Sequence, residues 1–359
     1  ADMEFATPPE ICDEIVNRVE RRIFGYTKIF DTDYYEALKN WCKAHYGWYF
    51  PQKELVFSSG IIPAMYELVE ELLESDEKML IVTPAYGFFQ HAAEYNQIEL
   101  VCSPLRKENG HFTIDFDDLE KKAADPKMKL ILWCNPHNPS GRMWTEEELK
   151  RVADITEKNN LWIISDEIHC DLIRKGNRHI PMGKIMPDYN KLITCMSASK
   201  TFNMAGLMFS NIIIRNETLR ERFCARDKNV GFVNPLSIAA HKAAYEKCYD
   251  WLEQLQEYLD GNFQFLDNYL KEFLPKAVFE IPEATYLAWV DMHAYLSDVE
   301  DLPAFFANEA GVLLEGGDDL FVGNAKGYIR LNLAMPRSII KRGMEQIREA
   351  VIRHNKKDI

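Results

Sequence analysis

Seven short runs of apolar and β-branched residues recur along the chain, at 55–58, 79–82, 99–103, 130–134, 161–165, 192–196 and 211–215, with helical patterns between them. That alternation predicts an α/β fold. Several runs, Leu130-Ile131-Leu132-Trp133-Cys134 among them, are apolar at consecutive positions, as expected of parallel strands covered by helices on both faces. Residues 146–159 read as an amphipathic helix opened by Thr145, with Glu148 three positions on in capping-box register. From about 234 to 273 the pattern is that of long helices, and 278–292 and 328–333 read as strands of a smaller α+β unit. The predicted organisation is an N-terminal segment over 1–30, a large domain over 31–255 on a mostly parallel seven-stranded sheet, and a small domain over 256–359. No repeat or Gly/Ser linker separates them, so the expected site is a cleft between lobes.

Composition narrows the partners. The 359 residues are 47% hydrophobic, enough for two lobes, and carry a net charge of −14 with no basic run. This argues against nucleic-acid phosphates and anionic membranes, and for small molecules or a second copy of the chain. The eight cysteines are scattered without a CxxC pair or other metal-ligand spacing, and His45, His91, His111 and His241 lack HxxxH spacing, so no metal is expected. Trp41, Tyr46, Trp48 and Tyr49 read as core or a contact between copies. No run approaches the roughly 20 apolar residues of a membrane helix, and the opening residues do not read as a charged-then-apolar leader, so a cytoplasmic location is expected. The chain opens on Ala1 rather than Met, and whatever precedes it lies outside that expectation.

Four strand-to-loop junctions carry candidate chemistry. Ser197-Ala198-Ser199-Lys200 follows the run 192–196 and puts a lysine at the sheet's edge, although a solvated loop lysine would look the same. Asp166, in Ser165-Asp166-Glu167-Ile168-His169, is a carboxylate at a strand mouth, able to hold a ring nitrogen protonated or simply to cap a helix. Asn135-Pro136-His137-Asn138-Pro139-Ser140-Gly141 is a turn of residues that preset or bond their own backbone, with one Asn-Pro bond a candidate for cis geometry. Ser58-Ser59-Gly60-Ile61-Ile62-Pro63 leads from strand into helix, where open N–H groups suit a phosphate and Gly60 permits close approach. Taken singly, each is an ordinary turn.

Taken together with Pro84-Ala85-Tyr86 and a late Arg330, their order resembles that of the class I and II pyridoxal 5′-phosphate (PLP) aminotransferases. Asp166-Glu167-Ile168-His169, Phe24-Gly25-Tyr26 and Arg330-Leu331-Asn332-Leu333 resemble more narrowly the cystathionine β-lyase (C–S lyase) branch. The resemblance implies the PLP-dependent transferase fold of type I. It implies that Lys200 holds PLP as a Schiff base, that Asp166 pairs with the pyridinium nitrogen, and that Asn138 binds the ring hydroxyl. Tyr86 would stack on the ring, Ser197 and the backbone of Gly60 and Ile61 would hold the phosphate, and Arg330 would grip the substrate α-carboxylate. Tyr26 would reach the phosphate of a neighbouring subunit, making a homodimer in which residues 1–30 pack with the small domain and the partner. Two positions depart from the broader family: His169 stands where a tyrosine is common, and Met208 where an arginine often binds the phosphate. The implied reaction is β-elimination from cystathionine or related L-cysteine S-conjugates, giving a thiol, pyruvate and ammonia. Transamination between an L-amino acid and a keto acid shares the early steps, and spacing does not separate the two. A partner-binding module with vestigial catalysis is a third reading, against which Lys200, Asp166 and Arg330 together speak.

Overall fold

The computed structural model describes residues 2–29, 32–108, 110–226 and 233–356. All seven predicted strands form: β1 (Leu55–Ser58), β2 (Lys78–Thr83), β3 (Glu99–Pro104), β4 (Met128–Cys134), β5 (Trp162–Asp166), β6 (Leu192–Met196) and β7 (Ser210–Ile214). They make one sheet in the order β1-β7-β6-β5-β4-β2-β3. The pairs from β6 to β3 are parallel, whereas β7 is antiparallel to both β6 and β1, so six strands run one way and β7 the other.

The consecutive apolar residues divide between two cores, as side chains alternating across a pleat must. Leu80, Val82, Ile131, Trp133, Ile163 and Leu192 pack on one face with Leu149 and Val152 of the helix Glu146–Lys158. Met79, Ile81, Leu130, Leu132, Ile164 and Ile193 pack on the other with Ala64, Met65 and Leu68 of α3 (Ile61–Leu72). The helix Glu146–Lys158 opens with the predicted capping box: Thr145 Oγ1 accepts from Glu148 N and Glu148 Oε2 accepts from Thr145 N. Such a cap stabilises a helix by about 1 kcal/mol.

The small domain holds a three-stranded antiparallel sheet of β8 (Leu287–Asp291), β9 (Glu315–Gly316) and β10 (Tyr328–Asn332), in the order β8-β10-β9. The expected strand over 278–292 is shorter than predicted: only Leu287–Asp291 is strand, with an isolated bridge at Val278. The stretch between them crosses to the large domain, where Ala284 N donates to Gly141 O at 2.9 Å and Arg174 N to Glu283 O at 2.8 Å. Gly141 has φ +70°, and a Cβ there would lie 2.4 Å from Pro282, so only glycine allows this approach.

The 25-residue helix Tyr249–Phe273 joins the two lobes without a break at 255. Its Leu252, Leu255 and Leu259 pack in the core that contains Trp41 and Tyr46 of α2 (Asp33–Tyr46), while Phe263, Leu266 and Leu270 pack in the core of the small domain. The expected junction at 30–31 lies outside the described residues.

Candidate active site

Parallel strands deliver their following loops to one edge of the sheet, and the four junctions of the sequence meet there. Asp166 ends β5 and Cys134 ends β4. The turn after Cys134 contains two cis bonds, Asn135-Pro136 and Asn138-Pro139. Lys200 follows β6, and Gly60 links β1 to α3. Asp166, Cys134, Asn138, Lys200 and Gly60, with Tyr86, His169 and Arg330, line a cleft of about 270 Å³, which Ile61, Ser199 and Tyr286 also border.

Asp166 is buried, and among the described residues the only hydrogen bond its side chain accepts is from Ile168 N at 3.2 Å. Burial pushes its carboxyl up to about 7, and the charge of Glu167 adds to the rise. Glu167, on the other face, meets His179 Nε2 at 2.8 Å and accepts from Ser165 Oγ and Met182 N. Adjacent carboxylates thus serve different ends, one facing the cleft and one fixed inside. His169, also buried, is held neutral by burial and by the Lys200 and Arg330 charges, its pKa lowered to about 3. Its Nδ1 has no hydrogen-bond partner among the described residues.

Behind the lysine lies a third buried carboxylate, one the sequence does not single out. Asp171 accepts from Trp41 Nε1 at 3.0 Å, from Tyr46 OH, and from Thr201 Oγ1 at 3.0 Å. Since Thr201 follows Lys200, this network fastens the lysine's loop to α2. Lys200 Nζ itself stands 3.0 Å from Asp2 Oδ1, and that hydrogen bond holds the Asp2 carboxyl below its ordinary range. Asp2 belongs to a strap between the domains: Asn203 Nδ2 donates to Met3 O and Phe5 O on the large-domain side, and Asn332 Nδ2 donates to Asp2 O on the small-domain side. A sequence signal for this strap would have been hard to find, because Asn203 clasps it from φ 56° in a loop.

Arg330, expected at the cleft, is there and is only 2% exposed. Its Nη1 donates to Asn138 Oδ1 at 2.9 Å, its Nε to Glu315 Oε2 at 2.9 Å, and its Nη2 to that same oxygen. The Phe321 ring lies beneath it at 4.8 Å. Phe321–Val322 in turn pairs with Ala85–Tyr86, so Tyr86 reaches the cleft from a backbone shared between domains.

One expected residue is placed elsewhere. Ser197 is buried beneath the cleft, where its Oγ donates to Phe209 O at 2.8 Å and accepts from Ser199 N at 3.1 Å; Ser199 borders the cleft in its stead. Tyr26 is 91% exposed on the N-terminal stretch, away from this cleft. Met208, at the position where an arginine is often found, is 61% exposed with φ 48° and does not border the cleft.

The residues present fit PLP. Asp166 is a buried carboxylate short of hydrogen-bond donors, and His169 Nδ1 is a buried polar atom without one. At the head of α3, Pro63 has no N–H and Ala64 N already donates to Gly60 O, so the donors that turn presents to an anion are Ile61 N and Ile62 N. A Cβ on Gly60 would sit 3.2 Å from Pro63 Cδ, against the same turn.

Comparison with known proteins agrees with this geometry. The family model for aminotransferase class I and II matches residues 2–347. Cystathionine beta-lyase PatB of Bacillus subtilis is 35% identical over 98% of this chain and 91% of its own length. The PLP-bound C-S lyase of Staphylococcus hominis superimposes with a TM-score of 0.96 at 48% identity, over 98% of this chain and 90% of that one. Cystalysin of Treponema denticola, which contains PLP, gives a TM-score of 0.93 at 33% identity, over 98% and 89% of the two chains.

Proposed function

Because the chain belongs to the class I and II aminotransferase family of PLP-dependent enzymes, we propose that it is a carbon–sulfur β-lyase. It cleaves cystathionine or a related L-cysteine S-conjugate, with one water, into a thiol, pyruvate and ammonia. The observation that carries this reading is the convergence of Lys200, Asp166, His169 and Arg330 on one cleft. Likeness to the Staphylococcus hominis C-S lyase at 48% identity favours elimination over amino-group transfer.

PLP, when bound, supplies an electron sink that makes the substrate's Cα proton acidic. The protein supplies the rest. Arg330 orients the substrate through its α-carboxylate, a planar guanidinium being matched to that group. The Lys200 amine, steered by the Thr201–Asp171 contact, takes the proton from Cα, and the C–S bond breaks with the electron pair leaving on sulfur. Asp166, poor in donors, becomes a stable anion when a ring N–H cation faces it. His169, kept neutral by burial, offers its Nδ1 to the ring's oxygen without adding charge. Ile61 N and Ile62 N take the phosphate.

The 91% exposure of Tyr26 supports a homodimer in which this ring serves the neighbouring subunit's phosphate. The decisive experiment incubates the PLP-loaded protein with L-cystathionine and no keto acid. Sustained, equimolar pyruvate and thiol are expected. A single turnover that halts, and resumes only when a keto acid is added, would make the protein an aminotransferase instead.

A further inference from the structure

The guanidinium that should receive the substrate's carboxylate already holds a carboxylate of this chain. Glu315 and Arg330 are direct cross-strand partners where β9 meets β10, and one oxygen, Glu315 Oε2, accepts from both Nε and Nη2 of the arginine. The crossing is fixed in place: a Cβ on Gly316 would lie 2.5 Å from Tyr328 O, so the backbone of β9 is held against β10 at the residue beside Glu315. Asn138 takes Nη1, and Phe321 covers one face of the guanidinium. The two partners differ in exposure, however. The Arg330 side chain is 2% exposed, while that of Glu315 is 37% exposed, so Glu315 borders solvent and the arginine does not.

A guanidinium binds a carboxylate with two parallel hydrogen bonds along one edge. Here the Nε/Nη2 edge is occupied by Glu315 and the Nη1 end by Asn138. We infer that Glu315 is a built-in rival of the substrate's α-carboxylate: it occupies the arginine's fork when no substrate is bound and swings outward when one arrives. The rival lowers apparent affinity by the fraction of time it holds the fork. In exchange, the buried guanidinium keeps a carboxylate beside it for most of the time that no substrate is bound, and an unpartnered desolvated charge is costly. The inference rests on the reading of Arg330 as the substrate's carboxylate anchor.

The test uses PLP-loaded protein and two amines. S-methyl-α-methyl-L-cysteine lacks a Cα proton and so binds without eliminating; 2-methyl-1-(methylthio)propan-2-amine carries a methyl in place of the carboxylate and lacks that proton too. Dissociation constants are measured by calorimetry for the unaltered protein and for Glu315→Gln. The carboxylate-bearing probe should bind the unaltered protein the more tightly. Glu315→Gln should tighten that probe about five- to tenfold, the amount expected if the rival holds the fork some 80–90% of the time, and leave the amine without a carboxylate unchanged. Glu315→Asp keeps the charge but withdraws it by one methylene, and should tighten the same probe about two- to threefold. It serves if the glutamine variant does not fold. Should both variants weaken the carboxylate-bearing probe or leave it unchanged while the unaltered protein still prefers it, Glu315 is a brace for Arg330 and the inference is overturned. If the unaltered protein shows no preference between the amines, the anchor reading itself fails, and the inference with it.

Discussion

The two walls of the cleft are built differently. The large-domain wall hangs on strand ends: Asp166, Asn138, Lys200 and Gly60 each stand within four residues of a strand of one parallel array, and rigid backbone sets their positions. The small-domain wall hangs on pairwise contacts, namely Arg330 on Glu315 and Asn138, and Asp2 on Lys200 and Asn332. One wall is positioned by fold and the other by partners. Chemistry that needs a proton moved at a fixed point belongs to the first, and recognition of an exchangeable ligand to the second.

If that division is right, the largest effect should come from Lys200→Ala. Loss of the proton-transferring amine is expected to lower kcat/KM for cystathionine at least about a thousandfold, read as pyruvate release. Folding should be little changed: the side chain's ion pair with Asp2 is 26% and 68% exposed, and such pairs contribute below about 1 kcal/mol. A melting temperature many degrees lower would show that the lysine is part of the wall's structure.

Asp166→Asn comes next, with kcat down about a hundred- to a thousandfold, and it carries a second signature in the protein freed of PLP. Asp166 titrates at about 7 in the folded chain against an ordinary 3.8, so the folded state keeps a proton that the unfolded state releases between those values. Its contribution to stability is full below about pH 4 and is lost as the pH rises through about 7. His137 and His169, lowered to about 3, and His241, lowered to about 4, have the opposite sign: neutral and buried, they favour the fold above their ordinary 6.5 and cease to as the pH falls. Against the unaltered protein, Asp166→Asn should therefore gain stability at pH 8 relative to pH 4. Denaturant midpoints across that range test this, and parallel curves for the two proteins would refute it.

On the other wall, Arg330→Lys keeps the charge but loses the two-pronged fork that receives the substrate's carboxylate, and the bond to Asn138. Hydrogen bonds to charged groups are worth about 1.5–3 kcal/mol, so KM should rise about ten- to a hundredfold, with the smaller change in kcat. A fall confined to kcat would mean that the arginine acts in the chemistry and not in recognition.

The same division explains what could be read beforehand. Strand ends announce themselves through consecutive apolar residues and turn chemistry, so all seven strands and the junctions of Asp166, Asn138, Gly60 and Lys200 were legible, while the roles of those residues came from the resemblance of their order to a family. The reversed direction of β7 was not, because a strand buried on both faces reads alike either way. Glu315 lies in a two-residue strand with no periodicity, and Tyr286 has the look of core β-strand. Their roles come from residues distant in sequence. Ser197 was placed by motif order, but its hydroxyl turns to a backbone carbonyl nearby, a choice made by local packing.

The smallest effect should test whether the walls are held together independently of either. Lys107, on the large-domain hairpin of Arg106–Glu108 and His111–Thr113, sends Nζ to Asp291 Oδ2 at 2.6 Å and to Tyr328 OH at 2.7 Å in the small domain. The pair is only 21% and 17% exposed, so it is less screened than a surface ion pair, and His293 Nδ1 meets the other oxygen of Asp291 at 2.7 Å. Asp291 keeps one partner when Lys107 is removed. Lys107→Met retains the apolar stem over the Tyr328 ring and deletes the charge, so it should destabilise the fold by about 1 kcal/mol, measured by thermal melting. Because Tyr328 opens the strand that carries Arg330, a looser latch should act on recognition first, with KM rising up to about threefold and kcat holding. An equal fall in kcat would show that the two walls move as one body, and that the contrast between them is one of construction and not of mechanics.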